Sequence, residues 1–135
     1  MALLFSLLMT GLYLTTYVAL FFLFPKFFGA PRPSLSRRSI PSLVWIMLLS
    51  LLAYVISYSI ADEQIGNRIL HGFGGGFLAF LMCYFVARDT NLKLSGFQLF
   101  FFIFLIETAL VVANELMEFA LQNTINYTFS DSVSD

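Results

Sequence analysis

The chain has 135 residues, of which 59% are hydrophobic and 11% charged, and its formal net charge is −1. A soluble domain is about one quarter charged, so this balance excludes an ordinary soluble domain and points to an integral membrane protein; the charge offers no basic surface for nucleic acid. The single cysteine, Cys83, excludes an internal disulfide framework and a CxxC metal site.

A helix needs about 20 apolar residues to cross a hydrocarbon core. Four segments reach that length, at about 2–24, 42–61, 69–87 and 97–122, with a polar tail over 123–135. The expected fold class is all-α: one polytopic transmembrane bundle with four spans. The first span has no basic residues leading into it and is too long for the apolar stretch of a signal peptide, so it reads as a retained helix. Between the first two spans, PKFFGAPRPSLSRRSIPS carries Lys26, Arg32, Arg37 and Arg38 beside Pro31, Pro33 and Pro41. The second and third spans are joined by ADEQIGNR, with Asp62, Glu63 and Arg68. RDTNLKLSG, between the third and fourth, holds Arg88 and Lys93.

Six of the 7 basic residues thus fall on one side of a four-span threading. The positive-inside rule predicts loops 25–41 and 88–96 in the cytoplasm, with the N-terminus, the 2–3 loop and the tail outside. The basic loops would touch anionic head groups. The abundant aromatic residues read mainly as lipid-facing surface and interfacial anchors.

The third span opens with RILHGFGGGFLAF. Its Gly72 and Gly76 form a GxxxG, and Gly75 follows His71 by four positions; small residues at this spacing predict a close helix-packing face. GFGGG lacks the strand, the Lys and the Ser/Thr of a phosphate-binding loop. The fourth span carries Glu107, Asn114, Glu115 and Glu118. At about 100° per residue, Glu107 and Glu118 lie about 20° apart around the helix, with Asn114 on the same face and Glu115 at the stripe's edge. Carboxylates turned to lipid would cost several kcal/mol each, so this stripe is expected to face protein or water.

Threading brings His71, Glu115, Glu118, Asp131 and Asp135 to one depth near the outer end. Arg68 is the expected counter-charge, and Glu107 lies deeper, near mid-membrane. Ionisable groups inside a membrane are candidates for function. One His with several carboxylates suits a hard or borderline divalent metal ion, with His71, Glu115 and Glu118 as the candidate ligands. The same groups could serve general acid–base chemistry. The bland alternative is a structural network that fixes helix packing. A proton path through Glu107 is a third reading; four spans are few for a monomeric transporter, so it would require a homo-oligomer or a larger membrane complex.

Arg68-x-x-His71-x-x-x-Gly75 opening one helix, Asn114-Glu115-x-x-Glu118 closing the next, and Asp131-x-x-x-Asp135 after it resemble the core of two families of bacterial inner-membrane proteins. These are the YjdF-type and the VanZ-like proteins, and the resemblance covers roughly residues 64–135. Asn67 stands where the YjdF-type pattern has Asp. The resemblance implies motif roles for Arg68, His71, Gly75, Glu115, Glu118, Asp131 and Asp135, and a further C-terminal helix beyond the four. It also implies a bacterial envelope setting: VanZ-like proteins are associated with glycopeptide resistance. The expected function is an outward-facing His/carboxylate site acting on envelope lipids or precursors, with a non-catalytic subunit or scaffold as the alternative.

Overall fold

A computed structural model describes residues 2–35 and 37–125. They form α1 (Ala2–Phe27), α2 (Ser39–Ser59), α3 (Glu63–Leu70), a π-helical segment (His71–Phe77), α4 (Leu78–Asp89) and α5 (Gly96–Ile125), with no strand among the described residues. Because α3, the π segment and α4 run on without a break, the described residues form four helices long and apolar enough to cross a membrane: Leu3–Phe27, Ser39–Ser59, Glu63–Asp89 and Gly96–Ile125. It is an all-α bundle of the multi-pass membrane type.

Local chemistry sets the ends of these helices. Beyond α1, Gly29 takes φ of 64°, a left-handed conformation that glycine adopts without steric cost. The Phe28 and Ala30 amides donate to the Pro25 carbonyl at 3.2 and 2.9 Å. Pro41 falls in the first turn of α2, where its missing N–H leaves no helix bond unmade. Asp62 caps α3, its carboxylate accepting from the amides of Gln64 and Ile65 at 3.0 and 3.1 Å. Ser95 and Gln98 form a reciprocal capping box at the start of α5: the Ser95 amide donates to Gln98 Oε1 at 2.9 Å, and the Gln98 amide to Ser95 Oγ at 3.3 Å.

The third span therefore begins at Glu63, earlier than the apolar run at about 69 predicts. Hydropathy marks where a helix becomes greasy, whereas the Asp62 cap decides where it starts. The other spans also outrun the apolar windows, α1 to Phe27, α2 from Ser39, and α5 to Ile125.

The core follows a row of i, i+4 positions along α1: Phe5, Met9, Tyr13, Tyr17 and Phe21 are all buried. It meets a stripe of small residues on α2, where Ser39, Ser42, Ser50, Ala53 and Ser57 are buried with Ile46 and Tyr54. It also meets Leu78, Ala79, Met82, Cys83 and Val86 of α4. Small residues let the helices approach where no water is expelled to drive them together. A buried hydroxyl pair, Thr10 Oγ1 and Ser50 Oγ at 2.9 Å, adds a polar tie between α1 and α2.

The tightest approach is made by Gly66. A Cβ there would lie 2.6 Å from the Ser57 carbonyl oxygen, and Ser57 Oγ donates to the Gly66 carbonyl at 2.8 Å. Gly72 and Gly75, expected to pack helices closely, instead have nothing within 4 Å of the point a Cβ would occupy, and at Gly76 the nearest atom, Glu107 Oε1, is 4.0 Å away. Gly72 and Gly75 thus face open space within one chain, Gly76 makes no close approach, and the close-packing role belongs to Gly66.

Outermost in the bundle is α5. Of its side chains only Phe102 and Leu110 are fully buried, and Phe97, Phe100, Phe101, Phe104, Leu105 and Phe119 are exposed. It packs on α4 and the π segment. Its contact with α1 includes a stack of the Phe24 and Phe102 rings, centroids 3.4 Å apart, near the end that carries the basic loops.

Candidate functional site

At the opposite end all four spans converge on one cavity of about 570 Å³. Its walls come from Phe5, Met9 and Tyr13 of α1, Tyr54, Ser57 and Tyr58 of α2, Glu63, Asn67 and Leu70 of α3, His71, Gly74 and Gly75 of the π segment, and Leu110, Val111, Asn114, Glu115 and Glu118 of α5. The antiparallel threading explains why: this end joins the start of α1, the end of α2, the start of the third span and the end of α5.

The two ionisable stretches singled out from the sequence, His71 and Glu115/Glu118, thus share a cavity, together with Asn67 and Asn114. Glu118, Asn67 and Asn114 are half-buried; His71 and Glu115 are more exposed. Asn114 Nδ2 donates to Glu118 Oε1 at 2.8 Å, a bond one turn apart on α5 that aims the carboxylate. Glu107 is half-buried and stands outside the lining, its carboxylate beside Gly76 of the π segment. Arg68 is exposed, does not line the cavity, and makes no ion pair among the described residues, so the counter-charge role expected of it is not formed there. Asp131 and Asp135 lie outside the described residues.

No group of three His, Cys, Asp or Glu side chains among the described residues stands close enough to hold a metal ion. His71, Glu115 and Glu118 share a cavity without forming the three-ligand set expected of them.

The π segment shapes the floor. Four glycines in seven residues, HGFGGGF, weaken the preference for α-geometry, and the Leu78 amide bonds the Phe73 carbonyl five residues back. Tyr13 reaches across from α1 and donates its hydroxyl to the Gly74 carbonyl at 2.6 Å. The wider turn leaves Gly74 and Gly75 presenting backbone to the cavity. π-helical turns occur often at functional sites.

Aromatic rings supply much of the remaining wall. Phe5 and Tyr54 meet edge to face at 5.9 Å, and Tyr54 stacks with Tyr58 at 6.2 Å. The sequence assigns the aromatics mainly to the lipid surface, and the α5 phenylalanines other than Phe102 do lie on the outside of the bundle. The i, i+4 spacing of Phe5, Met9 and Tyr13 was the available signal for an inward row. The lining is amphipathic: carboxylates, amides and an imidazole beside rings and aliphatic chains, with α1 and α5 flanking the space.

A second polar cluster, missed from the sequence, sits at the basic-loop end. Asp89 closes α4 with its side chain 1% exposed and accepts from Tyr17 at 2.6 Å, from Ser42 at 2.5 Å and from Arg88 Nε at 2.9 Å. Arg88 also donates to Ser42 at 2.9 Å and lies 4.8 Å from the Phe85 ring centre. This network ties α1, α2 and α4 together. Its one sequence signal is the acidic residue directly after Arg88 at the end of an apolar run.

Comparisons with protein-family models, with curated proteins and with solved structures find no match to this chain.

Proposed function

We propose that this multi-pass protein binds the polar head of a membrane amphiphile, an envelope lipid or lipid-linked precursor, in the cavity lined by His71, Glu115, Glu118, Asn67 and Asn114. One observation carries the reading: four spans direct polar side chains into a single space of about 570 Å³ whose other walls are aromatic and aliphatic. A purely polar solute would gain little from Phe5, Met9, Leu110 and Val111, and a hydrocarbon would strand the carboxylates and amides. A molecule with both characters satisfies both walls.

The setting belongs to the same proposal. The distribution of basic residues supports a bacterial inner membrane with loops 25–41 and 88–96 in the cytoplasm and the cavity outward. The resemblance of residues 64–135 to YjdF-type and VanZ-like proteins agrees with that setting. A scaffold role is favoured by a different feature, the Asp89 network, which joins three helices away from the cavity.

The test is to purify the full chain in mild detergent and identify co-purifying lipid by mass spectrometry, beside Gly75→Leu. Gly75 lines the cavity and nothing lies within 4 Å of a Cβ there, so a larger side chain starts in open space. Near-stoichiometric lipid in the wild type, lost in the folded variant, is the expected result. Equal retention in both, or no lipid above the bulk level, would overturn the reading.

A further inference from the structure

We infer that the amphiphile's head carries an ammonium group, and that it enters sideways from the bilayer between α1 and α5. This rests on the reading of the cavity as an amphiphile site and names the ligand class. The charged side chains of the lining are Glu63, Glu115 and Glu118; among the described residues no Lys or Arg lines it, and the one basic group is the His71 imidazole. A head of net negative charge would face three carboxylates in a lining without Lys or Arg among the described residues, whereas in a zwitterionic head an ammonium offsets the phosphate. An ammonium brings three donors, matching the carboxylate oxygens and the amide oxygens of Asn67 and Asn114. Rings also suit a cation: Phe5, Tyr13, Tyr54 and Tyr58 surround the same space, and aromatic faces attract ammonium groups.

The route follows from how the helices pack. α1 packs on α2 and α4, while α5 packs on α4 and the π segment. α1 and α5 meet through the stacked Phe24 and Phe102 rings near the basic-loop end. Toward the other end both line the cavity, α1 through Phe5, Met9 and Tyr13 and α5 through Leu110, Val111 and Asn114. Exposed apolar side chains of both helices at this end, Leu4, Leu7 and Leu8 of α1 and Val111 and Val112 of α5, would adjoin acyl chains in a bilayer. A lipid head can thus pass in while its chains stay in hydrocarbon. Phosphatidylethanolamine is the bilayer lipid of this chemistry.

The experiment is native mass spectrometry of the full chain, delipidated in detergent and titrated with phosphatidylethanolamine or phosphatidylglycerol bearing the same acyl chains. The wild type is expected to prefer the ethanolamine lipid about tenfold or more, the scale of a charge-assisted hydrogen bond. The isosteric Glu115→Gln and Glu118→Gln variants are expected to erase that preference. Equal binding of the two lipids, or preference for phosphatidylglycerol, each blocked by Gly75→Leu, would overturn the ammonium assignment and leave the amphiphile site standing. Binding of neither lipid, or binding that Gly75→Leu leaves intact, would overturn both. The head-group comparison uses the wild type alone, so the outcome does not depend on either Gln variant folding.

Discussion

Gly66 and Gly72 lie six positions apart on one span, and their surroundings are opposite. Gly66 faces the Ser57 carbonyl at a separation no Cβ tolerates, whereas Gly72 faces open space. Gly66→Ala is expected to destabilise the fold by about 1–3 kcal/mol, the usual cost of overpacking. Gly72→Ala is expected to be neutral or to stabilise by about 0.4–1 kcal/mol through the unfolded chain. Thermal unfolding of the detergent-solubilised variants measures both, and an equal loss at the two sites would contradict the packing described. The Asp89 network predicts an asymmetry of another kind. Arg88→Ala leaves a carboxylate that is 1% exposed without its cation, a loss expected to cost about 3–5 kcal/mol. Asp89→Asn keeps an acceptor for Tyr17 and Ser42 and leaves an arginine that is 47% exposed and can turn to water, so its cost is expected to be smaller. A larger loss for Asp89→Asn would show that the negative charge the hydroxyls bond to, rather than the Arg88 cation, holds the three helices.

Among the elements, the π segment carries the largest consequence for the site. A π turn accommodates an extra residue in the helix, so α3 and His71 are rotated relative to α4 from where a continuous α-helix would place them. Deleting one glycine from Gly74–Gly76 removes the residue that the wider turn absorbs, so it is expected to restore α-geometry and leave His71 and Asn67 facing the cavity. Far-ultraviolet circular dichroism of that variant should remain close to wild type and the co-purifying lipid should be retained; lost lipid would mean that the wider turn itself shapes the site. The Tyr13 hydroxyl supports the same segment through the Gly74 carbonyl. Tyr13→Phe removes that donor and is expected to cost about 1 kcal/mol, read as faster amide exchange over 71–78.

At the scale of the whole molecule, two ends of one bundle do different work. The basic-loop end is closed by Asp89, Arg88, Tyr17 and Ser42 and by the Phe24–Phe102 stack, while the other holds the cavity. The proposed orientation is tested by labelling with a membrane-impermeant maleimide in a Cys83→Ala background. Gln64→Cys, at the cavity end, is expected to label in intact cells, and Ser34→Cys, in the basic loop, only after permeabilisation. The reverse pattern would turn the cavity to the cytoplasm.

Composition and order alone determined the four spans, because burying a helix in hydrocarbon demands about 20 apolar residues whatever surrounds it. They also brought His71 and Glu115/Glu118 to one depth, since antiparallel threading leaves no other choice. Angular position on α5 was legible for the same reason: Asn114 and Glu118 lie on one face of an uninterrupted helix. What lay beyond reach depended on neighbours distant in sequence. Whether Gly66 or Gly72 packs closely is decided by the Ser57 carbonyl. Phe5, Tyr13 and Tyr54 became cavity wall rather than lipid surface because of the helices they face, and a phenyl ring is equally apolar in either place. The three-ligand metal set failed to form among the described residues because sharing a depth does not fix a distance. Asp89 reads in sequence as a loop residue, yet it is buried because Tyr17 and Ser42, from two other helices, satisfy the charge that burial would otherwise forbid.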